Sequence, residues 1–201
     1  MAISKKESTN LEKLKVIEIL NDFDRQQIIN ISNENLLDFS KIKNKDYIEE
    51  ISKNGFLIAP HILEDLKKDG DILLGIKEGD QVIAYIWASP TDGINKEYTW
   101  SNPQIKEKIF GKKNYYLNQI GVSKSHQHQG LGGKLINSLP LWFTDKTRKY
   151  IVASIAYGPI KNQASIGFNQ KHGFEQVAIS PIVKFHQFEN YQSLLFAKKI
   201  N

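Results

Sequence analysis

The stretch Tyr115–Lys134, YYLNQIGVSKSHQHQGLGGK, changes character twice along its length. Tyr115 to Val122 is aromatic, β-branched and alternating, as a strand is. Ser123 to Gln129 is polar and loop-like, and Gly130-Leu131-Gly132-Gly133 opens a run with helical apolar spacing. A strand, a glycine turn and a helix in that order can hold an anion. The first helical turn has backbone N–H groups without intrahelical partners, and the helix dipole adds partial positive charge at the same end. Gly130, Gly132 and Gly133 bring no Cβ atoms to block a phosphate and tolerate the φ/ψ values of a concave nest of N–H groups. Lys124 and Lys134 flank the turn with charge.

The turn is not a dinucleotide fingerprint, because Leu135 stands where G-x-G-x-x-G needs its third glycine, and no Gly-Lys-Ser/Thr run makes it a P-loop. Alone, it is also compatible with a plain connection between strand and helix. Two blocks together say more. Gln127-His128-Gln129-Gly130-Leu131-Gly132 fits the Q/R-x-x-G-x-G/A pattern after a strand ending Ile120-Gly121-Val122. Downstream, Asn162-Gln163-Ala164-Ser165-Ile166-Gly167-Phe168-Asn169-Gln170-Lys171-His172-Gly173-Phe174 begins at an Asn, carries a small residue three positions on, and ends Lys-x-Gly-Phe. In both blocks the chain resembles the GNAT superfamily of acyl-CoA-dependent N-acetyltransferases. The resemblance implies an α/β (α+β) fold with a mixed central sheet of about seven strands, flanking helices, and the glycine turn between the fourth strand and the following helix. It covers residues from Gln27 onward, so the domain reading is a helical extension over 1–25 and a GNAT-like domain over 26–201.

The resemblance also implies a site. Acetyl-CoA is the expected co-substrate, with its pyrophosphate on the loop Gln127, His128, Gln129, Gly130, Leu131, Gly132, Gly133 and Lys134. Its pantetheine arm would lie between Leu117–Val122 and Tyr150–Tyr157 and bond the backbone around Gly121 at Ile120 and Val122. Asn162 and Phe168 match positions beside the arm; read from the residues alone, they are a helix N-cap and a core aromatic. The implied reaction is attack of the neutral amine of an unidentified acceptor on the thioester carbonyl, with the Val122 N–H as oxyanion donor.

The chain departs from the family at two points. Asn169 occupies the position of the usual tyrosine acid, and the carboxylate base of some members is missing, since the relevant strands offer Asn118, Gln119, Ser154 and Tyr157. Tyr116, Tyr157 or an ordered water is left to handle protons. The missing groups give substance to a competing reading, a non-catalytic acyl-CoA-binding sensor or assembly module.

Composition narrows the classes further. With 201 residues, 40% hydrophobic and 24% charged, the chain suits one globular domain with an appendage. It has no cysteine, hence no disulfide, thiolate metal site or cysteine nucleophile. The net charge of +5 comes from dispersed lysines, with arginine only at 25 and 148, which speaks against a nucleic-acid partner. His126 and His128 lack a third ligand nearby, so no metal is expected. No segment approaches the ~18–20 apolar residues of a membrane helix, and the charged N-terminus lacks a signal-peptide core, so a soluble cytoplasmic protein is expected.

Elsewhere, Thr9 or Asn10 would cap a helix with Leu11, Leu14, Ile17 and Leu20 on one stripe, which packs on the domain or joins two copies as a homodimer. Gln27–Ile31 reads as a first strand, Asn33 as the cap of a short helix through Phe39, and Asp46–Lys53 as a helix ending at Gly55. That helical pair would lie on the acceptor side, with Asp38, Tyr47, Glu49 and Glu50. Asp71–Lys77 and Gln81–Ala88 form a hairpin around Glu78-Gly79-Asp80. Ser89–Lys113 reads as a long loop, a lid or acceptor wall. Pro140 ends or kinks the helix after the glycine turn, and Phe174–Phe185 and Ser193–Ile200 read as two antiparallel terminal strands.

Overall fold

The computed structural model describes residues 14–58, 62–94 and 97–200, and it opens with a strand where the apolar spacing predicts a helix. β1 (Val16–Glu18) pairs antiparallel with residues 74–76, and Ile19 follows it into the core at 2% exposure. Thr9, Asn10 and Leu11 lie outside the described residues. The expected strand at Gln27–Ile31 is instead the middle of helix α1 (Asp22–Glu34). Asn21 caps it by accepting from the Asp24 N–H at 2.8 Å, and Asp22 and Asp24 suit the positive end of the dipole. Asp24, Ile28, Ile31 and Ser32 are buried at i, i+4, i+7, i+8 spacing, so tertiary burial overrides the β preference of the isoleucines. Asn33 therefore sits inside α1 and starts nothing. A 3-10 turn at Phe39–Lys41 leads to α2 (Lys45–Asn54), which ends as expected at Gly55 with φ 86°.

The hairpin around Gly79 forms as read: β2 (Ile72–Glu78) and β3 (Gln81–Thr91) pair along their length. The segment expected to be a long loop is largely structured. β3 continues to Thr91, β4 (Thr99–Trp100) pairs with Ile179 and Ala178, and α3 (Pro103–Ile109) is capped by Asn102. Ile94 and Ile109 are buried there, which anchors the segment to the sheet. Then come β5 (Asn114–Val122), α4 (Leu131–Ser138), β6 (Tyr150–Gly158), α5 (Gln163–Lys171), β7 (Glu175–Ile179), β8 (Val183–Phe185) and β9 (Phe188–Lys199). Pro140 sits in a 3-10 turn, Leu139–Trp142, directly after α4. The two expected terminal strands are three, because the chain turns at Ser180–Ile182 and again at His186–Gln187.

Among the described residues the sheet has nine strands in the order β1-β2-β3-β5-β6-β9-β7-β4, with β8 on β9. It is two strands larger than expected, and the glycine turn follows the fifth strand in chain order. β5–β6 is its parallel pair; the other pairings are antiparallel. One face carries α4 and α5 through Leu131, Leu135, Ile136 and Ile166 against Ile86, Leu117, Ile151 and Phe196. The other is covered in three patches: α1 over Leu73, Tyr85 and Trp87, Ile94 and Ile109 over Val152 and Leu195, and Leu37 and Phe56 over Ala156 and Phe188. Among the described residues no helix is long and apolar enough to cross a membrane.

Gly121 is a packing position. A Cβ there would run into the ring of Tyr85, which is fully buried and whose hydroxyl donates to Gln119 Oε1. Gly121→Ala should lower the urea-unfolding midpoint by the equivalent of about 1–3 kcal/mol of overpacking. An unchanged midpoint would mean that the Tyr85 ring moves aside at no cost.

Candidate functional site

Two strands part at the centre of the sheet. β5 and β6 pair at Tyr115↔Ile151 and Tyr116↔Val152 and then diverge, although β5 runs on to Val122 and β6 to Gly158. Each keeps its antiparallel partner on the far side, β3 for β5 and β9 for β6. Irregular register at Trp87/Ala88 and at Ala156/Gly158 marks bulges on both outer ladders, and bulges add bend and twist. Arg148 closes the narrow end, its Nη1 donating to Thr91 O at 2.6 Å and Asn114 O at 2.9 Å. At the wide end the Ser123 N–H donates to Ile83 O, so by strand alternation the N–H groups of Val122 and Ile120 face the gap.

The glycine turn stands at the mouth of this gap. His128 has φ 63° and Gly130 φ 81°, two left-handed residues with Gln129 between them, and α4 starts after Gly130 without a side-chain cap. The first-turn N–H groups at Leu131, Gly132 and Gly133 are thus left for a ligand or water. The leucine's side chain itself is in the core at 2% exposure. Left-handed backbone is needed at Gly130 but not at the other two glycines. A Cβ on Gly132 would lie 3.2 Å from Phe168 Cε2 and one on Gly133 2.9 Å from His172 Cε1, so these two let α5 approach α4. Lys134 belongs to the first turn and its N–H returns to Gly130 O at 3.0 Å.

A residue that the sequence did not single out holds the loop. Asn35 accepts from Gln127 Nε2 at 3.1 Å and donates to Ile31 O at 2.7 Å and Val122 O at 3.3 Å. One amide ties the end of α1, the end of β5 and the loop together. Glu34 adds a bond from the Lys124 N–H at 3.3 Å. His126 is spent on Ser123 and Ser125 through Nδ1 and on Glu78 through Nε2, while Gln129 donates to Ser125 O. His128 is exposed. Among the described residues no three His, Asp or Glu side chains gather as a metal site would.

Asn162 caps α5: its Oδ1 accepts from Ser165 N–H at 3.1 Å and its Nδ2 donates to Phe56 O at 2.9 Å. Both ends of this amide are engaged, so the side chain fixes where α5 begins. Phe168 lies beside Ile120 and Gly132 with its ring 4.5 Å from that of His172. Asn169 is 5% exposed; its Nδ2 donates to Ser165 O, and its Oδ1 is buried without a partner.

On the face away from α4, Tyr116 is hydrogen-bonded to Ser154, and Ser154 Oγ donates to Ser193 Oγ at 2.9 Å. Burial, with Tyr98 adding to it, pushes the Tyr116 hydroxyl up to about 12; burial and then Tyr116 and Tyr98 do the same for Tyr191. Tyr157 stands apart at the end of β6, 41% exposed, with Lys161 Nζ 5.8 Å from its ring centroid. Of the three residues expected to carry chemistry, Val122 stands at the wide end of the gap, Tyr116 at its paired vertex six residues away, and Tyr157 at the rim. Asn118 is bonded to Ser89 Oγ, and Gln119 to Tyr85.

Residues 30–174 match the Acetyltransferase (GNAT) family, and the chain belongs to that family. No curated protein sequence matches it. Its fold is shared with a ribosomal-protein-S18-alanine N-acetyltransferase from Escherichia coli, at 12% identity and TM-score 0.60 over 93% of this chain and 94% of that one. NAA60 of Arabidopsis thaliana, solved with a bisubstrate analogue, aligns at 13% identity and TM-score 0.63 over 94% and 99%. An aminoglycoside 6'-N-acetyltransferase complexed with coenzyme A aligns at 15% identity and TM-score 0.60 over 93% and 97%.

The packing of His172 on Phe168 and Gly133 has a pH signature. Burial, reinforced by Lys171 and Lys198, holds its imidazole below its ordinary 6.5. Above that value both folded and unfolded forms are neutral. As pH falls through it the unfolded chain takes up the proton first, so stability is lost on acidification. The melting temperature should fall between about pH 7 and pH 5, and less steeply in His172→Gln; equal slopes would remove His172 from the acid response.

Proposed function

We propose that the protein is an N-acetyltransferase that moves the acetyl group of acetyl-CoA onto a primary amine by direct attack on the thioester. The observation that carries this is the gap between β5 and β6, lined on one side by strand N–H groups without a strand partner and opening onto an uncapped helix N-terminus. A pyrophosphate suits the N–H nest from Leu131 to Gly133, and an amide-bearing arm suits the edge at Ile120 and Val122. The donors at Ile120 and Val122 are backbone, which explains why side chains there serve packing.

The Val122 N–H supports the oxyanion formed when the amine nitrogen bonds to the carbonyl carbon. The same nitrogen then loses its extra proton and the carbon–sulfur bond breaks. Tyr116, held protonated by burial, is unsuited to take that proton, and it lies six residues from Val122 along β5, roughly 20 Å at the rise of a strand, so the departing thiolate takes its proton from water. The residues placed to act as base, Asn118, Gln119 and Ser154, are neutral, so the amine's proton leaves through water. This neutrality also supports the second reading, an acyl-CoA sensor without turnover.

Coenzyme A should raise the melting temperature, since it binds only the folded chain, and Gly132→Val should abolish the rise by placing a side chain against Phe168 at the nest. A rise that persists in the variant would move the cofactor elsewhere. With acetyl-CoA and a panel of amines, thiol release should increase with pH until the acceptor is neutral. Tyr116→Phe and Asn169→Ala should each lower kcat by less than about tenfold, or ~1.4 kcal/mol, at unchanged acetyl-CoA KM. Absence of thiol release with every amine class, at preserved coenzyme A binding, would favour the sensor.

A further inference from the structure

A groove of about 380 Å³ runs between α2 and the loop joining β6 to α5. Its floor is apolar, with Ile48 and Ile160 facing it, and these two also pack in the cluster that covers Ala156 and Phe188. The floor is therefore the outer side of the layer lying over the wide end of the gap. The walls carry Lys43, Lys45, Lys53 and Lys161 and a single carboxylate, Glu49. That carboxylate is paired with Lys53. Lys43 and Lys45 have no carboxylate partner among the described residues, and Lys161 has its charge over the Tyr157 ring. On α2 the lining positions are 45, 48, 49, 52 and 53, and the acidic Asp46 and Glu50 are not among the residues that line the groove. From Lys45 to Lys53 these positions span roughly 12 Å at 1.5 Å per residue, enough for about three to four residues of extended chain.

We infer that this groove takes an acidic segment of a polypeptide acceptor, whose amine enters the gap while its acidic residues lie against the lysines. The inference rests on the acetyl-transfer reading and narrows it. Unpaired like charges in one groove repel a polycation and favour a chain of carboxylates, and an apolar floor suits a polypeptide better than a fully hydrated small anion. The hydroxyl floor of the gap, Tyr116, Ser154 and Ser193, points the same way, because it offers no carboxylate to a second ammonium group. A nucleic acid is disfavoured by the absence of arginine from the groove.

The test uses a fluorescently labelled short peptide with a free N-terminal alanine followed by glutamates, and a matched peptide with lysines, measured by anisotropy on the full chain with coenzyme A present. The glutamate peptide should bind at least about tenfold tighter than the lysine peptide, with an affinity that drops as salt rises. The triple variant Lys43→Glu, Lys45→Glu, Lys161→Glu should erase that preference while leaving the melting-temperature rise with coenzyme A intact. Equal binding of the two peptides would overturn the inference. So would loss of the coenzyme A response in the triple variant, which would assign the lysines to the cofactor, or displacement of the peptide by a single-stranded RNA. Lysine-dependent peptide binding without thiol release from acetyl-CoA would uphold the groove and overturn acetyl transfer.

Discussion

The parting of β5 and β6 is the constraint on which the rest of the structure depends. Two parallel strands that share two residue pairs and then separate leave backbone donors and acceptors without a strand partner on their inner edges. Such groups cost free energy unless something else bonds them. The gap persists because each strand is held more strongly from outside, by β3 and by β9, and because bulges on both outer ladders bend the strands away from one another. Arg148 fixes the vertex with bonds to Thr91 and Asn114. On the proposed reading, a ligand arm with amide groups would complete what the sheet lacks.

The glycine turn is coupled to this opening through packing as much as through hydrogen bonds. Gly130 supplies a backbone angle, whereas Gly132 and Gly133 supply proximity, letting Phe168 and His172 of α5 lie against the first turn of α4. α5 in turn begins at Asn162, whose amide reaches Phe56 beyond α2. Asn35 ties the loop back to α1 and β5. The glycine turn and α5 are thereby both fastened to the segments around α1 and α2.

Much of this was legible in the sequence where periodicity and local chemistry agreed. β5 alternates, β2, β3 and β6 are short apolar runs, α2 ends at a glycine, and α4 and α5 carry apolar faces bounded by glycine and asparagine. The N-terminal region misled because its signals conflicted. Leucines three apart suggested a helix where an edge strand forms, and the isoleucines of α1 suggested a strand where Asn21, Asp22 and Asp24 start a helix. Asn35 was invisible for a different reason: its partners at Val122 and Gln127 are 87 and 92 positions away, and no local pattern encodes them. Nor does the sequence say which glycine answers to dihedral angle and which to a neighbouring ring. The lysines around α2 read as ordinary solvated charge until the fold brings Lys161 beside them.

The outermost strands have a consequence for behaviour in solution. A nine-stranded sheet is a wide template, and a long exposed margin would recruit further chains by main-chain pairing. Here the described margins are β1 and β8, each three residues long, and β4, two residues long. Asn102 and Pro103 follow β4 almost at once and turn the chain into α3. Strands this short offer an incoming segment too few amide bonds to hold it, so the sheet ends where it is and resists growing into fibrils.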